Sequence, residues 1–199
     1  MRGRIWAALL FAIVAYPAVP ATAADDEPRL ILGPDTAIRF EVGLFGIFSI
    51  EGGFTRFTGE IRLGSPEPED DIIECTVETA SAFTDDGDWL DTLRGPDFFD
   101  TARFPALSFR SGAIHRTGEG HLRIEGLLTL RGQTRPFALD AEYAPETGAE
   151  GEVVVLHRFR AEGTLSRAEF GMTAYGGVVG DDVTIAIEGG PLVPAGATP

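Results

Sequence analysis

Apolar and polar residues alternate with a period of two along most of this chain, and nothing else in it narrows the choice of fold as much. Ile38, Phe40, Val42 and Leu44 share one face opposite Arg39 and Glu41. Gly59, Ile61 and Leu63 oppose Glu60 and Arg62. Phe54 and Phe57 are out of phase by one residue, which predicts a bulge near Thr55–Arg56. Ile73, Cys75, Val77 and Thr79 alternate with Glu74, Thr76 and Glu78; Leu107, Phe109 and Ser111 with Ser108 and Arg110. Leu122, Ile124, Gly126, Leu128 and Leu130 oppose Arg123, Glu125 and Thr129. Phe137, Leu139, Ala141 and Tyr143 oppose Asp140 and Glu142. Val153, Val155, His157, Phe159, Ala161 and Leu165 oppose Arg158, Arg160 and Glu162. Val183, Ile185 and Ile187 oppose Thr184 and Glu188. Turn signals separate the runs: the Gly46–Gly53 stretch, Thr117-Gly118-Glu119-Gly120, and Gly132.

Eight such runs without a long amphipathic helix predict an all-β domain, closed as an antiparallel barrel or folded as a sandwich. An outer-membrane barrel would put apolar side chains outward. The polar face here carries Arg39, Glu41, Glu74, Glu78, Arg123, Glu125, Asp140, Glu142, Arg158 and Arg160. An arginine at the bilayer midplane costs roughly 2–4 kcal/mol. That face therefore belongs in water, and the apolar face encloses the interior.

Export is the expectation for the first segment. Arg2 and Arg4 precede an apolar run from Ile5 to Ala15, and Ala21-Thr22-Ala23 offers small residues for cleavage. Residues 1–23 thus read as a signal peptide, 29–190 as the domain, and the Pro/Gly/Ala-rich 191–199 as a disordered tail. The destination is the periplasm or the medium, with no membrane-spanning segment after cleavage.

Charge narrows the partners. Sixteen arginines face thirty-one acids, for a formal charge of −15, and there is no lysine. Nucleic acid and anionic membrane surfaces are poor partners for such a chain. Without lysine there is no P-loop and no Schiff base. The single cysteine, Cys75, falls on an apolar face and reads as a buried, inert thiol. His115 and His121 flank a predicted hairpin turn and could face each other, yet two histidines fall short of a zinc ligand set. The acidic run Glu67–Asp71 reads as a solvated loop, and Gly176, Gly177 and Gly180 as loop glycines. No Gly-x-Ser-x-Gly elbow occurs. No metal, cofactor or catalytic residue is assigned, and enzymatic activity is not expected.

Asp88 to Ser111 breaks the alternation. Trp89, Leu90 and Leu93 cluster as on one or two helical turns near residues 86–94, and Gly95-Pro96 ends them. Phe98-Phe99 then bring two rings together. Such a segment either plugs one end of the core or lines a ligand cavity.

The same stretch resembles the central signature of the YceI-like family: Asp91-Thr92-Leu93-Arg94, Asp97-Phe98-Phe99-Asp100, then Phe104-Pro105-x-x-Ser108-Phe109-x-Ser111. Gly33-Pro34-Asp35-Thr36, Gly53 to Gly59, Glu125 to Phe137, Ser166-Arg167-x-x-Phe170-Gly171-Met172 and Asp181 to Ile185 are similar to the family in order and spacing. The family commonly has His-Ser where Asp35-Thr36 stands, and often a histidine near Gly43. The resemblance implies an eight-stranded, lipocalin-like barrel that binds a polyisoprenoid.

Fourteen Phe against three Tyr suit an apolar interior. The candidate cavity lining is Phe40, Val42, Phe54, Trp89, Leu93, Phe98, Phe99, Leu107, Phe109, Leu128, His157, Phe159 and Phe170. His157 is either a hydrogen-bonded core residue or a ligand contact. Arg94 and Arg167 are candidates to meet a head group, with plain surface positions as the alternative. The leading reading is transport or storage of an isoprenoid lipid or isoprenoid quinone. The others are a lipid-modifying enzyme, with Asp91 and His157 as the acid–base pair, and a ligand-free interaction module.

Overall fold

The computed structural model describes residues 29–62, 71–143, 158–190 and 192–194. Its twelve strands are β1 (Arg29–Ile31), β2 (Ala37–Leu44), β3 (Phe48–Phe54), β4 (Phe57–Arg62), β5 (Ile72–Glu78), β6 (Ala82–Thr84), β7 (Ala106–Gly118), β8 (His121–Leu130), β9 (Gln133–Tyr143), β10 (Phe159–Ser166), β11 (Val179–Gly189) and β12 (Val193–Pro194). One helix, α1 (Leu90–Arg94), follows a 3-10 turn at Gly87–Trp89, where the sequence places a helical segment.

The strand count reconciles with eight once the kinks are followed. β1 and β2 lie along the same edge of the β3–β4 run: Leu30 is opposite Ile61, and Ile38 is opposite Phe54. β5 and β6 lie along its other edge, with Val77 opposite Phe57 and Ala82 opposite Phe54. β12 extends β11, pairing with β1 as β11 pairs with β2. Eight bent runs therefore pair in a ring, every pair antiparallel, and β11 on β2 closes it. The break at Thr55–Arg56 falls where the phase slip of Phe54 and Phe57 predicts it. Closure removes the exposed edges that an open sheet would present.

Three expectations need correction. Gly46–Gly53 is not one long turn: the chain reverses at 45–47, and β3 begins at Phe48. Gly52 and Gly53 read as turn residues but lie within a strand. The 191–199 stretch is not all tail, because Leu192 is buried and Val193–Pro194 pairs with β1; residues 191 and 195–199 lie outside the described residues. Residues 1–23, Leu63, the acidic loop up to Asp70, and 151–157 lie outside the described residues. His115 lies opposite Arg123, and His121 opposite Gly118, so the two histidines are not cross-strand partners.

Gly52 has a packing role. Phe40 is its direct cross-strand partner, and a methyl group on Gly52 would stand 2.5 Å from Phe40 Cζ. The same seat recurs around the wall. A methyl on Gly126 would meet Phe109 Cζ at 2.7 Å, one on Gly163 would meet Phe137 Cζ at 2.9 Å, and one on Gly189 would meet Phe159 Cζ at 3.0 Å. Each ring occupies the space that a neighbouring strand leaves empty by lacking a side chain. The rings are thereby drawn against the wall instead of across the middle.

Gly52→Ala tests this seating. The new methyl would also meet the Phe83 carbonyl oxygen, so rotation of the Phe40 ring alone cannot relieve the crowding. Overpacking of this kind costs about 1–3 kcal/mol. Urea denaturation should show the loss as a lower midpoint; a midpoint equal to that of the parent would refute the seating argument.

Candidate functional site: an apolar void along the barrel axis

Inside the ring is a void of about 230 Å3 that meets almost no polar surface. It exceeds the roughly 150 Å3 of a hydrocarbon-lined cavity that stays dry and admits benzene, and it lies below the ~300–1,000 Å3 of preformed drug-sized pockets. Its walls explain why so many inward apolar side chains are only partly buried. Val42, Leu107, Leu122, Val183, Ile185 and Ile187 pack against the core yet keep surface facing the void.

Most of the predicted lining is assembled here. Phe40 and Val42 come from β2 and Phe54 from β3. Trp89, Leu93, Phe98 and Phe99 come from the segment around α1. Leu107 and Phe109 come from β7, Leu128 from β8 and Phe159 from β10. Phe40, Phe54 and Phe99 form a cluster with ring centroids 5.4–6.0 Å apart, so part of the interior is filled and part is hollow. Phe170 is buried elsewhere, outside the wall of the void. His157 lies outside the described residues. Alternation also marks Leu122, Ile124, Phe137, Leu139, Val183 and Ile185 as inward, and all six line the void although none is among the candidate lining residues. Met172, Val179 and Leu192 also line the void and carry no periodic signal.

Cys75 lines the void as well, and burial pushes its thiol up to about 11. It therefore stays protonated and unreactive near neutral pH. Asp91 is exposed on α1 and is not part of the wall, which leaves no acid–base pair at the void with the partners considered. Among the described residues, no three of His, Cys, Asp and Glu gather as metal ligands.

The two arginines are occupied with backbone. Arg94 Nη2 donates to the Ala82 carbonyl at 2.6 Å, tying α1 to β6. Arg167 is 4% exposed and borders the void. Its Nε donates to Gly180 O at 2.7 Å, Nη1 to Met172 O at 2.5 Å and Ala174 O at 2.8 Å, and Nη2 to Val179 O at 3.0 Å. The guanidinium also lies 5.8 Å from the Phe98 ring centroid. Four of five N–H donors are thus committed to carbonyls of the 172–180 segment. Arg167 holds that segment against the barrel end, where Tyr175 stacks on Phe98 and meets Trp89 edge-on.

Asp181 completes the latch. Its carboxylate accepts from Ser166 Oγ at 2.6 Å and from the Ala168 N–H at 2.9 Å. The Ser166 hydroxyl first, then the Ala168 amide, and last the Arg167 charge hold its pKa below the usual aspartate range.

The model of the YceI-like domain matches residues 33–189. The chain belongs to the YceI-like family. A UPF0312 protein of Shewanella oneidensis is 30% identical over 146 residues, covering 73% of this chain and 75% of the relative. A UPF0312 protein of Vibrio cholerae is 28% identical over 191 residues, 95% and 98% of the two chains. Among solved structures, BcnA of Burkholderia cenocepacia superposes with a TM-score of 0.65 at 21% identity, covering 77% of this YceI-like chain and 94% of the other. A polyisoprenoid-binding domain from Saccharophagus degradans, implicated in plant cell wall breakdown, superposes at 0.56 and 12% identity, covering 83% and 99%.

Two expectations follow for the latch. Arg167→Met orphans four carbonyls and should cost about 3 kcal/mol by urea denaturation, with faster amide exchange through 168–180. Unchanged exchange there would contradict the role of Arg167. Folding holds the Asp181 pKa below its unfolded value, so its stabilisation is full at neutral pH. That stabilisation is lost as pH falls through the folded value. Between about pH 5 and pH 2, the melting temperature of the parent should therefore fall more steeply than that of Asp181→Asn; parallel curves would count against it.

Proposed function

We propose that this YceI-like protein is an exported carrier or store for a long apolar lipid, of the isoprenoid or isoprenoid-quinone class, held inside its barrel. The observation that carries the reading is the void walled by hydrocarbon, in a ring whose outer face is charged. The description of the Saccharophagus domain as polyisoprenoid-binding supports the class of ligand. Export rests on the leader-like residues 1–23. No helix among the described residues is long and apolar enough to cross a membrane.

Burial of ten methylene-sized groups contributes roughly 8 kcal/mol before the cost of immobilising the ligand. A tail longer than the present 230 Å3 accommodates needs some of the interior rings to swing aside. The head group stays at the rim, because the interior offers it almost no polar partner, Arg167 is engaged with backbone, and Arg94 lies outside the wall. A solid interaction module does not fit a hollow interior, and Asp91, one half of the acid–base pair considered for a lipid-modifying enzyme, lies outside the wall.

Native mass spectrometry of freshly purified protein should reveal a non-covalent lipid adduct, which organic extraction removes. Ile185→Trp places an indole in the void and should abolish the adduct without lowering stability by more than about 1–2 kcal/mol. Protein that carries no adduct and takes up no polyprenol when mixed with it would overturn the proposal.

A further inference from the structure

The end of the barrel guarded by Tyr175 has an apolar lip that the interior does not explain. Phe45, Ile47 and Phe48 form the tip of the β2–β3 hairpin and are 62, 79 and 65% exposed; Tyr175 beside them is 45% exposed. The Phe45 N–H donates to the Val178 carbonyl at 2.7 Å, which joins the tip to the 172–180 segment. Both loops are free of charge: no charged residue occurs from 42 to 50 or from 170 to 180. In a chain that is 24% charged, two adjoining uncharged loops at one rim define a distinct surface.

The turn itself works against its own stability. Phe45 and Gly46 have φ of 53° and 73°, the two positive values required at the centre of a type I′ turn. Asn, Asp or Gly favours the first of these positions, and a bulky side chain is strained there. Packing of the Phe45 side chain compensates little for this, since the residue is 62% exposed.

We infer that this lip inserts into the interface of an electrically neutral lipid bilayer and sets the cavity mouth on the membrane. The inference extends the carrier reading and rests on it for the direction in which the lipid moves. A convex hairpin tip buries all its side chains at once only in a medium that yields around it. The exposed area of the four side chains is on the order of 500 Å2, short of the ~800 Å2 per partner of a standard protein interface. A second copy is therefore the weaker occupant. Charge selects the kind of membrane. The nearest charges along the chain, Glu41, Glu51, Glu169 and Asp181, are all acidic; the cations that reach the loop are Arg167, which is buried beneath it, and Arg131, which donates to Gly171 O. Asp85, Asp86, Asp88 and Asp91 surround Trp89, which touches Tyr175. Anionic lipid is repelled by this collar, while a zwitterionic surface is not. Tyr175 at the rim suits the headgroup level.

Co-sedimentation with phosphatidylcholine vesicles tests the inference. The full chain should bind them, and phosphatidylglycerol vesicles should be bound more weakly. Ile47→Ser with Phe48→Ser should lower the partition coefficient by roughly tenfold or more. Phe45→Asn should also weaken binding while melting no lower than the parent, because asparagine fits the turn better; this separates docking from folding. Absence of binding to phosphatidylcholine vesicles overturns the inference, as does equal or tighter binding to phosphatidylglycerol. A concentration-dependent dimer abolished by the same substitutions overturns it in favour of self-association. Uptake of a soluble polyprenol by protein that ignores vesicles would leave the carrier reading standing and remove only the docking.

Discussion

The hollow depends on aromatic rings seated over glycines. A barrel of eight strands has an interior that its own side chains can fill. In this YceI-like protein, Phe40, Phe109, Phe137 and Phe159 each lean over a glycine of an adjacent strand, at Gly52, Gly126, Gly163 and Gly189. The glycines make the wall thin where the rings are thick. Space is conserved along the axis, and what remains there meets almost no polar surface. Glycine in a strand interior weakens the strand by itself, and the overlying ring restores part of the lost packing. The same pairing thus supports the wall and keeps its centre open.

The latch at the mouth follows from this arrangement. A void with almost no polar surface needs an end that excludes water, and the 172–180 segment provides one. That segment has backbone carbonyls but few side chains able to anchor it, so a single guanidinium from Arg167 gathers four of them. Asp181 steadies the turn at Ala168 and lies close enough for the Arg167 charge to lower its pKa, although the buried cation makes no direct ion pair with it. Phe98, Tyr175 and Trp89 then form an aromatic cover that meets solvent on one side and the void on the other.

Much of this was readable before any coordinates. The alternation in Leu122–Leu130 and Phe137–Tyr143 identifies both the strands and the face that turns inward. The out-of-phase Phe54 and Phe57 locate a kink, and Gly95-Pro96 ends the helical turn where expected. What the pattern could not show is cross-strand register. Gly52 looks like a turn residue until Phe40 is seen opposite it, twelve positions earlier in the chain. Arg167 is a head-group candidate by sequence. Its true partners are main-chain oxygens, which have no side-chain identity to read. Met172 and Leu192 reach the void from irregular segments and Val179 from the start of β11, ahead of a register shift before Val183, so no periodicity announces them.

The central claim is an interior that is empty, dry and apolar between the seated rings. A crystal structure determined under xenon pressure, after extraction of any bound lipid, tests it most directly. The account predicts xenon inside the barrel among Phe109, Leu128, Phe137 and Ile185. A barrel centre packed solid by side chains, or occupied by ordered water in place of xenon, would contradict it.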